Sequence, residues 1–200
     1  MHYRLVFLAL LVFGSFSCAR QATSLSTSGA AEQSSGYSSA GQTGLDQHLN
    51  REEKNVAGNE NILIGPSNRV AYEAEPYSKW FHPAYQRYTP NAKIMEELQP
   101  LLENVSIKAY AGSWCMDSQR DLPRFYKVID QAHFPHSRFN VYNLREDKTS
   151  PSGEEKSANI TAVPTFILYR DGKEVGRIVE SAYPTIEMNM LTILKGTPAK

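Results

Sequence analysis

Apolar and polar positions change their period several times along the chain, and each change predicts an element. "VSIKAYA" (105–111) alternates with a period of two and is β-leaning, which predicts a strand. From 116 to 132 the period becomes helical. Leu122, Phe125, Tyr126 and Ile129 fall on one face, with Asp121, Arg124, Lys127 and Asp130 on the outer one. "FNVYNL" (139–144) predicts a second strand, and a short helix follows near 153–159. "TFILYR" (165–170) and "EVGRIVE" (174–180) flank "DGK", a hairpin signal. A last helix, 184–195, carries Ile186, Met190 and Leu194 on its inner face. Two strands joined by a helical crossover should be parallel, and a hairpin is antiparallel. The expected class is therefore α/β, a mixed central sheet with helices on both faces.

Upstream, residues 59–104 read as an N-terminal helical extension. The rings in "EPYSKWFHPAYQRYTP" recur at helical spacing, which favours packing on the domain over an aromatic ligand site. Ile94, Met95, Leu98 and Leu101 share a second helical face. Residues 19–58 are rich in Ser, Gly, Ala, Gln and Thr and are expected to be a disordered tether, because such a stretch buries too little apolar surface to offset its ordering entropy.

Residues 1–18 have a basic start at Arg4 and an apolar run from Leu5 to Phe16, too short to span a bilayer and typical of a secretory signal. Two processing routes fit. Small residues around Ser15, Ser17 and Ala19 suit ordinary cleavage, whereas "SFSC" resembles a relaxed bacterial lipobox with Cys18 as the lipidated residue. The expectation is an exported protein of a bacterial cell envelope or periplasm, touching membrane only through that N-terminal lipid anchor.

With 21 basic and 21 acidic residues, nothing in the charge balance points to nucleic acid. Of the two cysteines, Cys18 is lipidated, cut away or left in the tether, so Cys115 is the one free thiol expected in the mature domain, without a disulfide framework. His82, His133 and His136 form no metal-ligand pattern with it, and neither metal nor cofactor is expected.

Cys115 stands in "GSWCMDSQRDLPRF", where strand passes into helix. Trp114 precedes it, Ser118 occupies the place of a second redox cysteine, and Pro123 lies further along the helix. Val163, Pro164 and Thr165 then precede the strand that leads to Gly172 in the hairpin. In this order the features resemble the thioredoxin-like fold family, and among its members the bacterial exported proteins with a Trp-Cys-x-Asp-Ser motif. The resemblance covers residues 105–197 and implies a thioredoxin-like domain with a cis proline at Pro164. It also implies Cys115 and Ser118 as catalytic residues, and a substrate groove formed by Trp114, Val163, Pro164 and Thr165. The chain departs from thioredoxins at three places: Ser118 replaces the resolving cysteine, Ala109 stands where a buried acid serves that cysteine, and Glu180 lies near a groove glycine.

A cysteine at a helix N-terminus meets unpaired N–H groups and the positive end of the dipole, which favour the thiolate, and the Ser118 hydroxyl is expected to donate to it. Asp117 opposes that effect. The plain reading of Cys115 is a small buried hydrophobe; that of Trp114 is packing. Three functions remain open: a monothiol thiol-disulfide oxidoreductase or isomerase, a redox-inactive protein-binding module, and a peroxide-handling thiol protein using Arg120 or Arg124. The expected partners of the first are exported or envelope proteins carrying thiols or disulfides, with an external thiol reductant.

Overall fold

Strand β3, Val105–Ala111, sits inside the sheet and buries Val105, Ile107, Ala109 and Ala111 on one face and Tyr110 on the other. The computed structural model of the chain describes residues 49–196. The signal segment, Cys18 and the tether up to residue 48 therefore lie outside the described residues. β3 pairs in parallel with β4, Phe139–Asn143, and antiparallel with β5, Thr165–Arg170, which pairs in turn with β6, Lys173–Val179. The β5–β6 turn has Asp171 at φ 51° and Gly172 at φ 77°, both left-handed as a two-residue hairpin of type I′ needs.

The extension is not wholly helical. β1, Arg51–Lys54, lies within the stretch expected to be tether, and β2, Asn61–Ser67, within that expected to be helix. β2 pairs first with β1 and then, from Gly65 onward, with β4, giving the order β1-β2-β4-β3-β5-β6. Neither strand was legible because both are defined by tertiary pairing. "REEK" has no apolar period, and "NILIGPS" carries Gly-Pro where a strand reading would end.

Side-chain caps open several of the helices. The Asn68 side chain accepts from Val70 N–H to open α1, Arg69–Glu73. α2 spans Ser78–Arg87, as the ring spacing predicts. Asn91 caps α3, Ala92–Leu98, which runs into a 3₁₀ turn at Gln99–Leu102. α4, Met116–Gln131, buries Leu122, Phe125, Tyr126 and Ile129. α5, Glu154–Ser157, is a single turn, and α6, Ile186–Leu194, is capped by Thr185. α2, α3, α4 and α6 share the core on one face of the sheet. The other face holds Tyr110, Leu144, Val163 and Ile167, overlaid by Ala158 and Ile160 beside α5.

The outer face of α4 is not open to solvent, because α2 packs along it. Phe81 of α2 is fully buried, stacked on Tyr72 and Tyr85 and edge-on to Tyr126 of α4. Asp121, expected outside, is only 4% exposed, and both of its oxygens accept from Arg120. At the far end of α4, burial works to raise the Asp130 pKa. Hydrogen bonds from Tyr85 and Arg69, and the contact with His136, outweigh it and hold the carboxyl below its ordinary range. The buried Glu187 of α6 accepts from the Tyr88 hydroxyl at 2.6 Å and from Asn91 N–H at 3.1 Å, tying the α2–α3 connection to the last helix.

Candidate functional site

β3 delivers the chain to Gly112–Ser113–Trp114, and Cys115 follows as the N-cap of α4 with extended backbone (φ −87°, ψ 124°). Its side chain is partly exposed, and its Sγ lies 3.5 Å from the Val163 carbonyl oxygen. The Val163–Pro164 peptide is cis. Cys115, Trp114, Val163 and Pro164, far apart in sequence, thus meet at one end of the sheet.

Each neighbour is held by a specific contact. The Trp114 indole N–H donates to the Leu144 carbonyl at 2.9 Å, and the ring packs with Tyr110, Leu144 and Val163. Gly112 lets the indole lie there, since a Cβ on residue 112 would sit 2.6 Å from Trp114 Cε2. Gly112→Ala should therefore displace the indole and cost about 1–3 kcal/mol, read from the urea unfolding midpoint. Unchanged stability would mean that the ring is not anchored over residue 112. Thr165 is buried and its hydroxyl donates to the Ala162 carbonyl at 2.7 Å, so it shapes the turn before β5.

Ser118 differs from expectation. Its hydroxyl oxygen accepts from Gly112 N–H at 3.1 Å, the residue is 1% exposed, and it makes no hydrogen bond to the Cys115 sulfur. The helical turn points this side chain inward to the strand exit. Ala109 is buried between Val141 and Phe166 in the sheet, so no acid stands at that position.

Arg120 is occupied by Asp117, Asp121 and Ser181, and Arg124 lies over the Tyr88 ring at 5.5 Å. Neither guanidinium hydrogen-bonds the sulfur, which removes the geometric support for the peroxide-handling reading. Glu180 takes a left-handed conformation (φ 61°) and its N–H donates to the Pro164 carbonyl at 2.7 Å, so the backbone there adopts the form glycine takes freely.

Sequence reasoning missed Ser113. This buried side chain accepts from Leu63 N–H of β2 at 2.9 Å, and its carbonyl accepts from the Gln119 amide at 2.8 Å. The extension is therefore bonded to the loop that carries Cys115. The partner is distant in sequence, and the small residues of "GSW" were the only signal. Among the described residues, no group of three or more His, Cys, Asp or Glu could hold a metal, and no helix is long and apolar enough to cross a membrane.

No protein-family model matches the chain. Thioredoxin Asp f 29 of Aspergillus fumigatus is 25% identical over 95 residues, 48% of this chain and 78% of that protein. A crystal structure of a Pseudomonas aeruginosa protein of unknown function aligns over 66% of this chain and 93% of its own, with TM-score 0.51 and 13% identity. Mitochondrial thioredoxin 3 of Saccharomyces cerevisiae aligns over 54% of this chain and 96% of its own, with TM-score 0.34 and 21% identity. The parallel β3–β4 pair crossed by α4, the antiparallel β5–β6 hairpin and the thioredoxin relative together give the chain a thioredoxin-like fold, extended at one sheet edge by β1 and β2.

Proposed function

We propose that the chain is a thiol-disulfide oxidoreductase or isomerase of the monothiol type. It acts through Cys115 on exported proteins and is tethered in the cell envelope through its N-terminal segment, with Cys18 as the lipid attachment. The observation that carries the chemistry is the placement of a partly exposed Cys115 at the N-cap of α4, beside the Val163 backbone. Similarity to a thioredoxin of Aspergillus fumigatus supports a redox role.

The Cys115 thiolate attacks one sulfur of a substrate disulfide. A bond forms between Cys115 Sγ and that sulfur, and the substrate's other sulfur leaves as a thiolate that takes up a proton. The hydroxyl of Ser118 cannot break this mixed disulfide. Release requires a second thiol, from the substrate (isomerisation) or from an external reductant (reduction), which attacks the bond and returns Cys115 as thiolate. Val163 N–H has no hydrogen-bond partner among the described residues, which supports docking of an extended substrate segment there as an added strand, with Trp114 and Pro164 alongside.

The wild-type chain, incubated with a disulfide-bearing protein, is expected to accumulate a covalent 1:1 adduct visible on non-reducing gels and dissolved by dithiothreitol. Cys115→Ser should form none. A second reading, a redox-inactive binding module, is favoured by the commitment of Ser118 to Gly112 and by the apolar Ala109. It predicts non-covalent partners retained equally by both forms, and that result, with no adduct, would sink the thiol reading.

A further inference from the structure

The surface beside α4 carries a trough that the thiol chemistry leaves unused. Between α2 and the first half of α4 lies a cavity of about 440 Å³. Four cations line it, Lys79, Arg87, Arg120 and Arg124, and no carboxylate does; Trp80 and Met116 supply apolar wall. A second cavity, of about 390 Å³, shares Lys79, Trp80 and Gln119 with the first and runs on to Ser113, with its single acid, Glu60, among its lining residues. The two form one elongated depression along the helix that begins at Cys115. Met116, next to the reactive residue, is 81% exposed at its border.

The four cations are not equally committed. Arg120 is held by Asp117 and Asp121, and Lys79 pairs with Glu75 at 3.2 Å. Arg87 is exposed and has no ion pair among the described residues. Arg124 keeps a single 3.5 Å contact to Asp121 while its guanidinium lies over Tyr88. Arg87 and Arg124 thus retain donors for an incoming carboxylate, and a planar guanidinium can grip one bidentately.

We propose that this trough seats an acidic, extended segment of a partner polypeptide, with its carboxylates on Arg87 and Arg124 and its apolar side chains against Trp80 and Met116. Charge complementarity selects the acid. The two joined basins fit an extended chain, whereas a small anion would fill only one of them. The inference deepens the thiol-exchange reading, since it gives that site a preference for substrates with acidic flanks. It is nevertheless tested without the sulfur, so that failure of one leaves the other standing.

The full-length Cys115→Ser chain is titrated against a fluorescent peptide of alternating glutamate and leucine, and against the same peptide with glutamine for glutamate, by fluorescence anisotropy. The acidic peptide should bind roughly tenfold tighter, with an advantage that fades at high ionic strength. Arg87→Gln with Arg124→Gln should remove most of that advantage and leave glutamine-peptide binding unchanged. Should Arg124→Gln disturb the Tyr88 contact and lower the unfolding temperature, Arg87→Glu at its exposed position carries the test alone, with the same expected loss. Equal binding of the two peptides, or no effect of the substitutions, overturns the proposal. Displacement of the acidic peptide by equimolar glutathione, a small anionic thiol, also overturns it, because the trough would then be a small-anion site.

Discussion

Ser118→Cys is expected to turn the proposed one-sulfur exchange into a reaction that cycles. With excess dithiol reductant, reduction of a protein disulfide should run at least about tenfold faster than with the wild-type chain. In the proposed cycle of the wild type, release of the mixed disulfide waits for a thiol to arrive by diffusion. A thiol one helical turn on supplies it from within the molecule, at an effective concentration in the millimolar range or above. Position 118 lies in the first turn of α4 and accepts from Gly112 N–H at 3.1 Å. Sulfur is a poorer acceptor than a hydroxyl, so this bond weakens at a cost on the order of 1 kcal/mol, which a domain of this size tolerates. Ala109 sets a ceiling on the gain, since no carboxylate stands there to take the proton of the new cysteine. A steady-state rate equal to wild type, with the mixed disulfide still intact by mass spectrometry, would show that position 118 does not present a sulfur to Cys115.

Phe81→Ala should destabilise the chain by about 3–5 kcal/mol, the range for deleting a fully buried aromatic ring. For a chain of this length that lowers the unfolding temperature by roughly 6–20 °C, measured by circular dichroism. The size follows from where the ring sits. Phe81 contacts Tyr72 and Tyr85 from the extension, and Tyr126 from the helix that begins at Cys115. The cavity would open at the joint between the two parts. Because Cys115 lies at the other end of that helix, its alkylation rate below the transition should be unaltered. A loss under about 1 kcal/mol would mean that the extension rests on the domain without contributing to its core.

What the sequence disclosed, and what it withheld, divides by the distance over which the determining contact acts. β3 and β5 span the very residues their patterns mark, because inward-facing side chains define them locally. β1 was hidden because three of its four residues are exposed and it exists only through its pairing with β2. At the site, Cys115, Trp114, Val163 and Pro164 were legible from motif and order. The bonds that fix them were not: Trp114 to Leu144, Ser118 to Gly112 and Leu63 to Ser113 depend on how the chain returns on itself. Asp121 was misplaced for a related reason. A helical wheel shows only one inner face, and α2 gives α4 a second.

The strand order also decides what the sheet offers to other molecules. Among the described residues its outermost strand on one side is Arg51–Lys54, four charged residues in a row, and on the other β6, whose pairing with β5 shifts register between Leu168 and Tyr169. A ladder of open N–H and C=O groups is a template for aggregation, and charge or irregularity blunts it. Without β2, β4 would stand at the margin with its backbone groups from Val141 to Asn143 unpaired on that side. The first two strands thus cover the β4 edge and leave a charged strand in its place, an arrangement that disfavours edge-to-edge stacking of copies.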